Sequence, residues 1–541
     1  MSRTELGAAL EARAAACGVA TGYVDGTGVL RRPPASTIEA ILDLLPPVTP
    51  TADAASPASA DAPTSRCATG PQPPHTWGVF APLAGLRSGR EIGLGDLTTL
   101  RTFAEAAVAL GAGVVGTLPL LATRPDESSP YSPLTRRYWD ERWLDVAWLA
   151  ECLGEPYPAP KPTPRQERTH PEPAWQLRRS QARALLASSA ARSTVAPTAW
   201  VRDRPGVERW ARWKAVAERA GWDPRAWSPE LDRAVRSGDD ATLAAHGVER
   251  ADVEFEIALQ WAVSTQLAEL GDDLRDEGVA LYLDLPVGTS ASGFDVWEAP
   301  EDFAVGMSIG APPDRFFPGG QSWGLVPPLP GRGDLARCLQ AHMSVCGLLR
   351  IDHVMGLHRL FWIPDGAEAS DGTYVTYDAR HNWSVVAEMS VAHDCGVVGE
   401  DLGTVPDEVR VAMAEVGARG LFIAQDETRA PFRLSRPVPE STIASLNTHD
   451  LPPFAAWHEA WGVDATAPVV RDHLLAELAA SEADIVLVSE QDLSLDPRRL
   501  NVPGEVGGDI WRLVSRLGAD ELATGATATA TDARRVLADV D

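Results

Sequence analysis

The chain has 541 residues, with 48 Lys+Arg against 75 Asp+Glu and a formal net charge of −27. This length fits three or four ordinary domains, or equally one closed α/β barrel of about 250 residues with insertions. The negative balance repels phosphates, which excludes a general nucleic-acid or anionic-membrane binder and suits a neutral or cationic substrate.

In chain order, helical periodicity over 3–18 and 36–45 predicts a small helical N-terminal segment, 1–45. From Pro46 to Pro74 the chain is rich in Pro, Ala, Ser and Thr and too poor in large apolar residues to offset its ordering entropy. It reads as a flexible linker, 46–75. The folded body is expected over 76–520, with 521–541 as a C-terminal helix or tail.

Eight short apolar runs follow, at 77–83, 113–120, 280–286, 348–354, 396–403, 420–424, 443–450 and 485–492. They are near-continuously apolar, as strands buried on both faces are. Helical stretches such as 97–110, 253–270 and 406–416 separate several of them. Eight βα units predict a TIM (β/α)8 barrel. The uncharged run from Ala106 to Thr123 contains Gly111, Gly113, Gly116 and Pro119, and reads as helix, turn and buried strand, not as a membrane span.

Two insertions are expected. The first, 147–250, holds seven of the eighteen tryptophans, read mainly as the core of a helical subdomain, with a carbohydrate platform as the rival reading. The second, 288–330, is rich in Gly and Pro, carries Phe303, Phe316, Phe317 and Trp323, and predicts a loop overhanging the barrel mouth.

Several motifs are decoys. Gly111, Gly113 and Gly116 match a dinucleotide fingerprint but enter a strand, where the fingerprint must open a helix. Ser308 and Ser322 sit in esterase-like G-x-S-x-G matches followed by proline-rich chain instead of the required helix. Lysine occurs only as Lys161 and Lys214, neither in a Schiff-base or phosphate-loop setting. The six cysteines form no C-x-x-C pair, and no His/carboxylate cluster has ligand spacing, so no metal or cofactor is expected. With no signal-peptide core at the N-terminus, a cytoplasmic protein is expected.

Polar groups end several strands: Asp284, Arg350 with Asp352 and His353, Glu400 with Asp401, Asn447 with His449 and Asp450, and Glu490 with Asp492. In a barrel these ends converge on one face. Asp352, Glu400 and Asp450 fall after strands four, five and seven. Two carboxylates flanking one bond are what glycoside chemistry needs, one as nucleophile and one held protonated as acid. Arg350, two residues before Asp352 on the same strand face, is placed to act on it.

The segments LLRIDHVMGL, VVGEDLGTVP, LNTHDLPPF and GAPPDRFFPGGQSWG closely resemble 4-α-glucanotransferases (amylomaltases, disproportionating enzymes) of glycoside hydrolase family 77. GLGDLTTL, SSPYSP and LYLDLPVG resemble further segments, in the family's order over about 76–515. The resemblance implies Asp352 as nucleophile, Glu400 as general acid/base and Asp450 as the third acid, with Arg350 and His449 flanking them. It further implies Tyr131 beneath the donor sugar and Asp284 as the acid ending strand three. Asp314, Phe316, Gln321 and Trp323 would lie on the lid loop and its acceptor-side aromatics. The implied substrates are maltooligosaccharides or α-glucan, as donor and acceptor. Three departures stand out: Arg315 where some members have an aromatic, Asp140-Glu141 where Asn-Pro is common, and only the 46–74 stretch where the long form carries a β-rich domain. Two alternatives stay open, the same chemistry with water or a non-glucose, aminocyclitol-like acceptor, and a non-catalytic glucan-binding barrel.

Overall fold

A computed structural model describes residues 7–46, 65–90, 92–157, 166–187, 198–462, 465–504 and 509–524. Most of the expected linker, Lys161 and the tail beyond 524 lie outside the described residues.

All eight apolar runs form strands of one parallel sheet: β1 Thr76–Phe80, β2 Val114–Gly116, β3 Ala280–Leu285, β4 Leu348–Ile351, β5 Gly396–Gly399, β6 Gly420–Ile423, β7 Thr442–Ser445 and β8 Ile485–Ser489. Each neighbours the next in chain order, and β8 pairs with β1. Seven junctions are strand ladders. The eighth, between β5 and β6, is a single bridge, Val398 to Arg419, where Gly399 N donates to Arg419 O (2.8 Å) and Arg419 N to Val397 O (2.9 Å). The sheet therefore closes as a (β/α)8 barrel, as expected.

Side chains alternate across a strand, so one set fills the lumen: Val114, Ala280, Tyr282, Leu348, Val398, Ile443, Ile485 and Leu487. At Gly116 a Cβ would stand 2.9 Å from the Tyr282 ring and 3.0 Å from that of Phe80, so the lumen admits only glycine there. The opposite faces pack on crossover helices such as Leu97–Val108, started by Asp96 accepting from Thr99 N, and Ala379–His393, started by Asp378 accepting from His381 N. Ala106 to Thr123 divides into helix end, turn and β2, as read. Among the described residues no helix is long and apolar enough to cross a membrane.

The first insertion is helical. Trp210, Trp213 and Trp227 are buried with Phe294 and Trp297 in their own core. Beside that core Arg179 pairs with Glu141 (2.7 Å), Glu218 (2.6 Å) and Glu256 (2.5 Å), and Lys214 pairs with Glu141. The second insertion is more ordered than a loop. Its strands Met307–Ala311 and Gln321–Ser322 join Arg359–Pro364 and Thr373–Thr376 in a four-stranded antiparallel sheet. The N-terminal segment docks on that sheet. Helices Ala8–Ala16 and Ala35–Leu44 bury Ala14, Ile38, Ile41 and Leu42 against Ile309, Leu360, Trp362 and Val375. Between these helices Tyr23–Val24 and Leu30–Arg31 form a hairpin, an element that helical periodicity does not reveal.

Candidate active site

Strand parity puts the chemistry at the mouth. On β3 Asp284 follows the lumen residues Ala280 and Tyr282, and on β4 Arg350 follows Leu348. The register sets Arg350 opposite both Asp284 and Val398. Asp352 and Glu400, each two residues further on, continue the same inward rows just past the strand ends. Apolar filling stops where these polar groups begin, at the C-terminal face where barrel sites are built.

Buried Arg350 is the hub. Its Nη1 donates to Asp284 Oδ1 (2.8 Å) and Oδ2 (2.7 Å) and lies 2.8 Å from Asp352 Oδ1. Burial works against the guanidinium, but Asp284 and Asp352 outweigh it and hold it well above its ordinary value. Tyr131 Oη donates to Asp284 Oδ2 at 2.6 Å. Burial, reinforced by the neighbouring Asp284, pushes that phenol well up, so it stays a donor.

Glu400 is partly accessible but enclosed on its other sides. Its Oε2 accepts His353 N (3.0 Å) and its Oε1 accepts Leu402 N (2.9 Å). Burial pushes its carboxyl up to about 7; Arg350 pulls the other way, and the negative charges of Asp352 and Asp450 add to the rise. Burial likewise lowers His353 to about 4, so its imidazole is neutral at neutral pH. Its backbone is left-handed at φ 50°, which turns its N–H toward Glu400.

Asp450 completes the rim. Its Oδ1 accepts Asn501 Nδ2 (2.7 Å), its Oδ2 lies 3.4 Å from His449 Nε2, and its side chain is 49% exposed. The His449 ring stacks on Tyr131 (5.0 Å, 21°), and Trp511 leans on both at 5.6 Å. Asp284, Arg350 and His449 line a cavity that runs into the lumen past Tyr282. A second hollow, lined by Asp352, His353 and the 331–335 loop, lies nearby.

Seven of the expected residues, Tyr131, Asp284, Arg350, Asp352, Glu400, His449 and Asp450, thus meet in one network. Trp323 reaches it edge-on, 5.1 Å from the His353 ring, and its Nε1 donates to Gln321 Oε1 at 3.4 Å. Asp314 serves its own turn, accepting from Phe316 N (2.7 Å) and Phe317 N (2.6 Å). Phe316 is 79% exposed, with the Arg315 guanidinium 6.0 Å from its ring centroid. Glu490 and Asp492 are buried supports, accepting from Leu517 N and from Asn447 Nδ2 and Phe454 N. Asn501 and Trp511 escape sequence reasoning; their loop follows the last strand, and a lone Asn before Pro-Gly reads as a turn. Among the described residues the one carboxylate trio close enough for a cation, Glu141, Glu218 and Glu256, is already ion-paired with Arg179 and Lys214.

The profile of the 4-alpha-glucanotransferases of glycoside hydrolase family 77 matches residues 81–517. The 4-alpha-glucanotransferase of Mycobacterium tuberculosis is 33% identical over 421 residues, 71% of this chain and 57% of that protein. The Haemophilus influenzae 4-alpha-glucanotransferase is 32% identical over 438 residues, 72% of this chain and 62% of that protein. The chain thus spans about three fifths of the length of these relatives. Among solved structures, amylomaltase from Corynebacterium glutamicum superposes with a TM-score of 0.76 at 20% identity, over 97% of this chain and 99% of that one. Amylomaltase from Streptococcus agalactiae, in complex with acarbose, gives 0.73 at 19%, over 85% and 98%. These two likenesses are of fold. By the extent of the profile match and the identity to curated relatives, the chain belongs to glycoside hydrolase family 77, the 4-α-glucanotransferase family.

Proposed function

We propose that the chain is an α-retaining 4-α-glucanotransferase acting on maltooligosaccharides or α-glucan. The supporting observation is the contrast between two acids on adjacent strands. Asp352 is ion-paired to Arg350, whereas burial and neighbouring negative charge raise Glu400 to about 7. A carboxyl that keeps its proton near neutral pH can serve as the acid beside an ion-paired carboxylate nucleophile. In the first step Asp352 attacks the anomeric carbon and forms a β-glycosyl ester. The α-1,4 C–O bond breaks, and Glu400 gives its proton to the departing sugar oxygen. In the second, Glu400 takes the proton of an acceptor 4-hydroxyl, which displaces Asp352 and restores the α bond. Asp450, held by Asn501, is placed to grip donor hydroxyls, and the Tyr131–His449 stack offers the donor ring an aromatic floor.

Incubation with maltotriose tests this reading, and a ladder of longer maltooligosaccharides with free glucose is expected. Short products alone would make the acceptor water, and unchanged maltotriose with retained binding would leave a glucan-binding barrel.

Trp323 gives a second test, because its ring stands against His353, between Asp352 in sequence and Glu400 in space. A stacked acceptor ring is held at high effective concentration and apolar walls exclude unplaced water. Trp323→Ala is expected to raise the ratio of hydrolysis to transfer by roughly 2- to 10-fold, the worth of one ring contact. Products from maltotriose with a melting curve check it; an unchanged ratio in a folded variant makes Trp323 packing.

A further inference from the structure

The N-terminal hairpin touches both loops that frame the acceptor side. Asp25 is its knot: Oδ1 accepts from Thr27 N (2.9 Å), Thr27 Oγ1 (2.6 Å) and Val29 N (3.0 Å), and Oδ2 accepts from Arg31 Nε (2.7 Å). Tyr23 anchors the hairpin to the antiparallel sheet, edge-on to Phe361 (5.2 Å) and Tyr374 (5.8 Å). At its tip Gly26 N donates to Pro313 O at 3.0 Å. The approach is so close that a Cβ at Gly26 would stand 2.6 Å from Asp314 Cβ, 3.1 Å from Asp314 Cα and 3.4 Å from Thr404 Oγ1. Asp314 in turn ties Phe316 and Phe317 into their turn, and Thr404 ends the loop that leaves Glu400 through Leu402. Gly26 therefore sits where the acceptor-side turn and the acid/base loop meet.

We propose that the hairpin Tyr23–Arg31 is a positioning element of the acceptor side, fixing the Asp314–Phe317 turn against the Glu400 loop and so setting the preference for a sugar acceptor over water. This rests on the glucanotransferase reading above. In this role the hairpin acts through Pro313, Asp314 and Thr404. Exclusion of water from the glycosyl ester depends on how firmly those loops are held, and the hairpin bonds the first at Pro313 while its tip packs close to Thr404 of the second.

The test uses the full chain and four variants. Gly26→Ala pushes the tip off Asp314, and Asp25→Ala unties the hairpin. Asp25→Asn keeps one oxygen able to accept from Thr27 and Val29. Ile41→Ala weakens the same N-terminal segment in its buried core without touching the hairpin. The hydrolysis-to-transfer ratio from maltotriose is expected to rise about tenfold in Gly26→Ala and Asp25→Ala, an order below what an ångström of misplacement costs. Amide exchange across 313–323 is expected to quicken in the same two variants. Asp25→Asn should return both readouts most of the way to the wild-type values, and Ile41→Ala should lower the melting temperature alone. Unchanged ratio and exchange in folded Gly26→Ala and Asp25→Ala overturn the proposal, and so does an equal shift in Ile41→Ala. If the wild-type chain makes no ladder, the glucanotransferase reading fails, and the amide exchange alone decides whether the hairpin holds the turn.

Discussion

Asp352→Asn is expected to stop turnover while leaving the barrel intact, with transfer from maltotriose falling about 10⁴-fold or more. The amide has nearly the shape of the carboxylate but cannot form the glycosyl ester. The structure explains why the fold survives. Arg350 loses one ionic partner but keeps both oxygens of Asp284, so no buried guanidinium is orphaned. Initial rates beside a melting curve check this. Transfer retained at a tenth of the wild-type rate would place the nucleophile elsewhere.

Glu400→Gln is expected to cost natural donors about 10²–10⁴-fold, the usual worth of a positioned acid, and to spare glycosyl fluorides, whose leaving group needs no proton. An amide offers one acceptor oxygen where the carboxylate offers two. Either His353 N or Leu402 N then loses its partner, for about 1–3 kcal/mol of stability. The wild-type pH profile follows from the same group. Its carboxyl rises from 4.5 to about 7 in the folded chain, so the acid form persists below that value and is lost above it. Transfer from maltotriose should therefore fall as pH passes upward through about 7, and formation of the ester from a fluoride should lack that limb. Equal losses on both donors, or a limb common to both, would remove Glu400 from the acid role.

What the sequence tells about this protein depends on whether a signal is local. A strand buried on both faces is written as an apolar run, and eight such runs suffice for the barrel. Asp352 and Glu400 are legible because a carboxylate directly after such a run is unusual. Their partnership through Arg350 and Asp284 is only partly legible. The neighbours on β3 and β4 are written dozens of residues apart, and register joins them. The antiparallel sheet and the docked hairpin are invisible for the same reason. Leu30 and Arg31 look like loop, and Val19 pairs with Val375 across most of the chain. Phe316 shows the opposite case. It has the residue type expected of an acceptor platform, but nothing in the local sequence says how its turn presents the ring, which is 79% exposed. Glu141 is another long-range case: it pairs with Arg179 and Lys214 and accepts from Trp175 Nε1, all three in the first insertion.

Seven of the eight seams between the staves of this barrel are laced along their length, while β5 and β6 share one bridge. That seam is closed by the two backbone bonds on Arg419 and by one side chain, Asp401 Oδ1 accepting from Leu421 N at 2.9 Å. Arg419 Nε reaches Asp484 Oδ2 at 2.8 Å and Arg419 Nη1 reaches Thr69 O at 3.1 Å, the latter on the segment just before the first stave. Backbone lacing is indifferent to dissolved ions, whereas a partly exposed ion pair is screened by them. Ionic strength therefore acts beside this seam, where Arg419 ties the start of β6 to Asp484 at the start of β8. Glu400, the next residue after β5, rides on the edge of the seam.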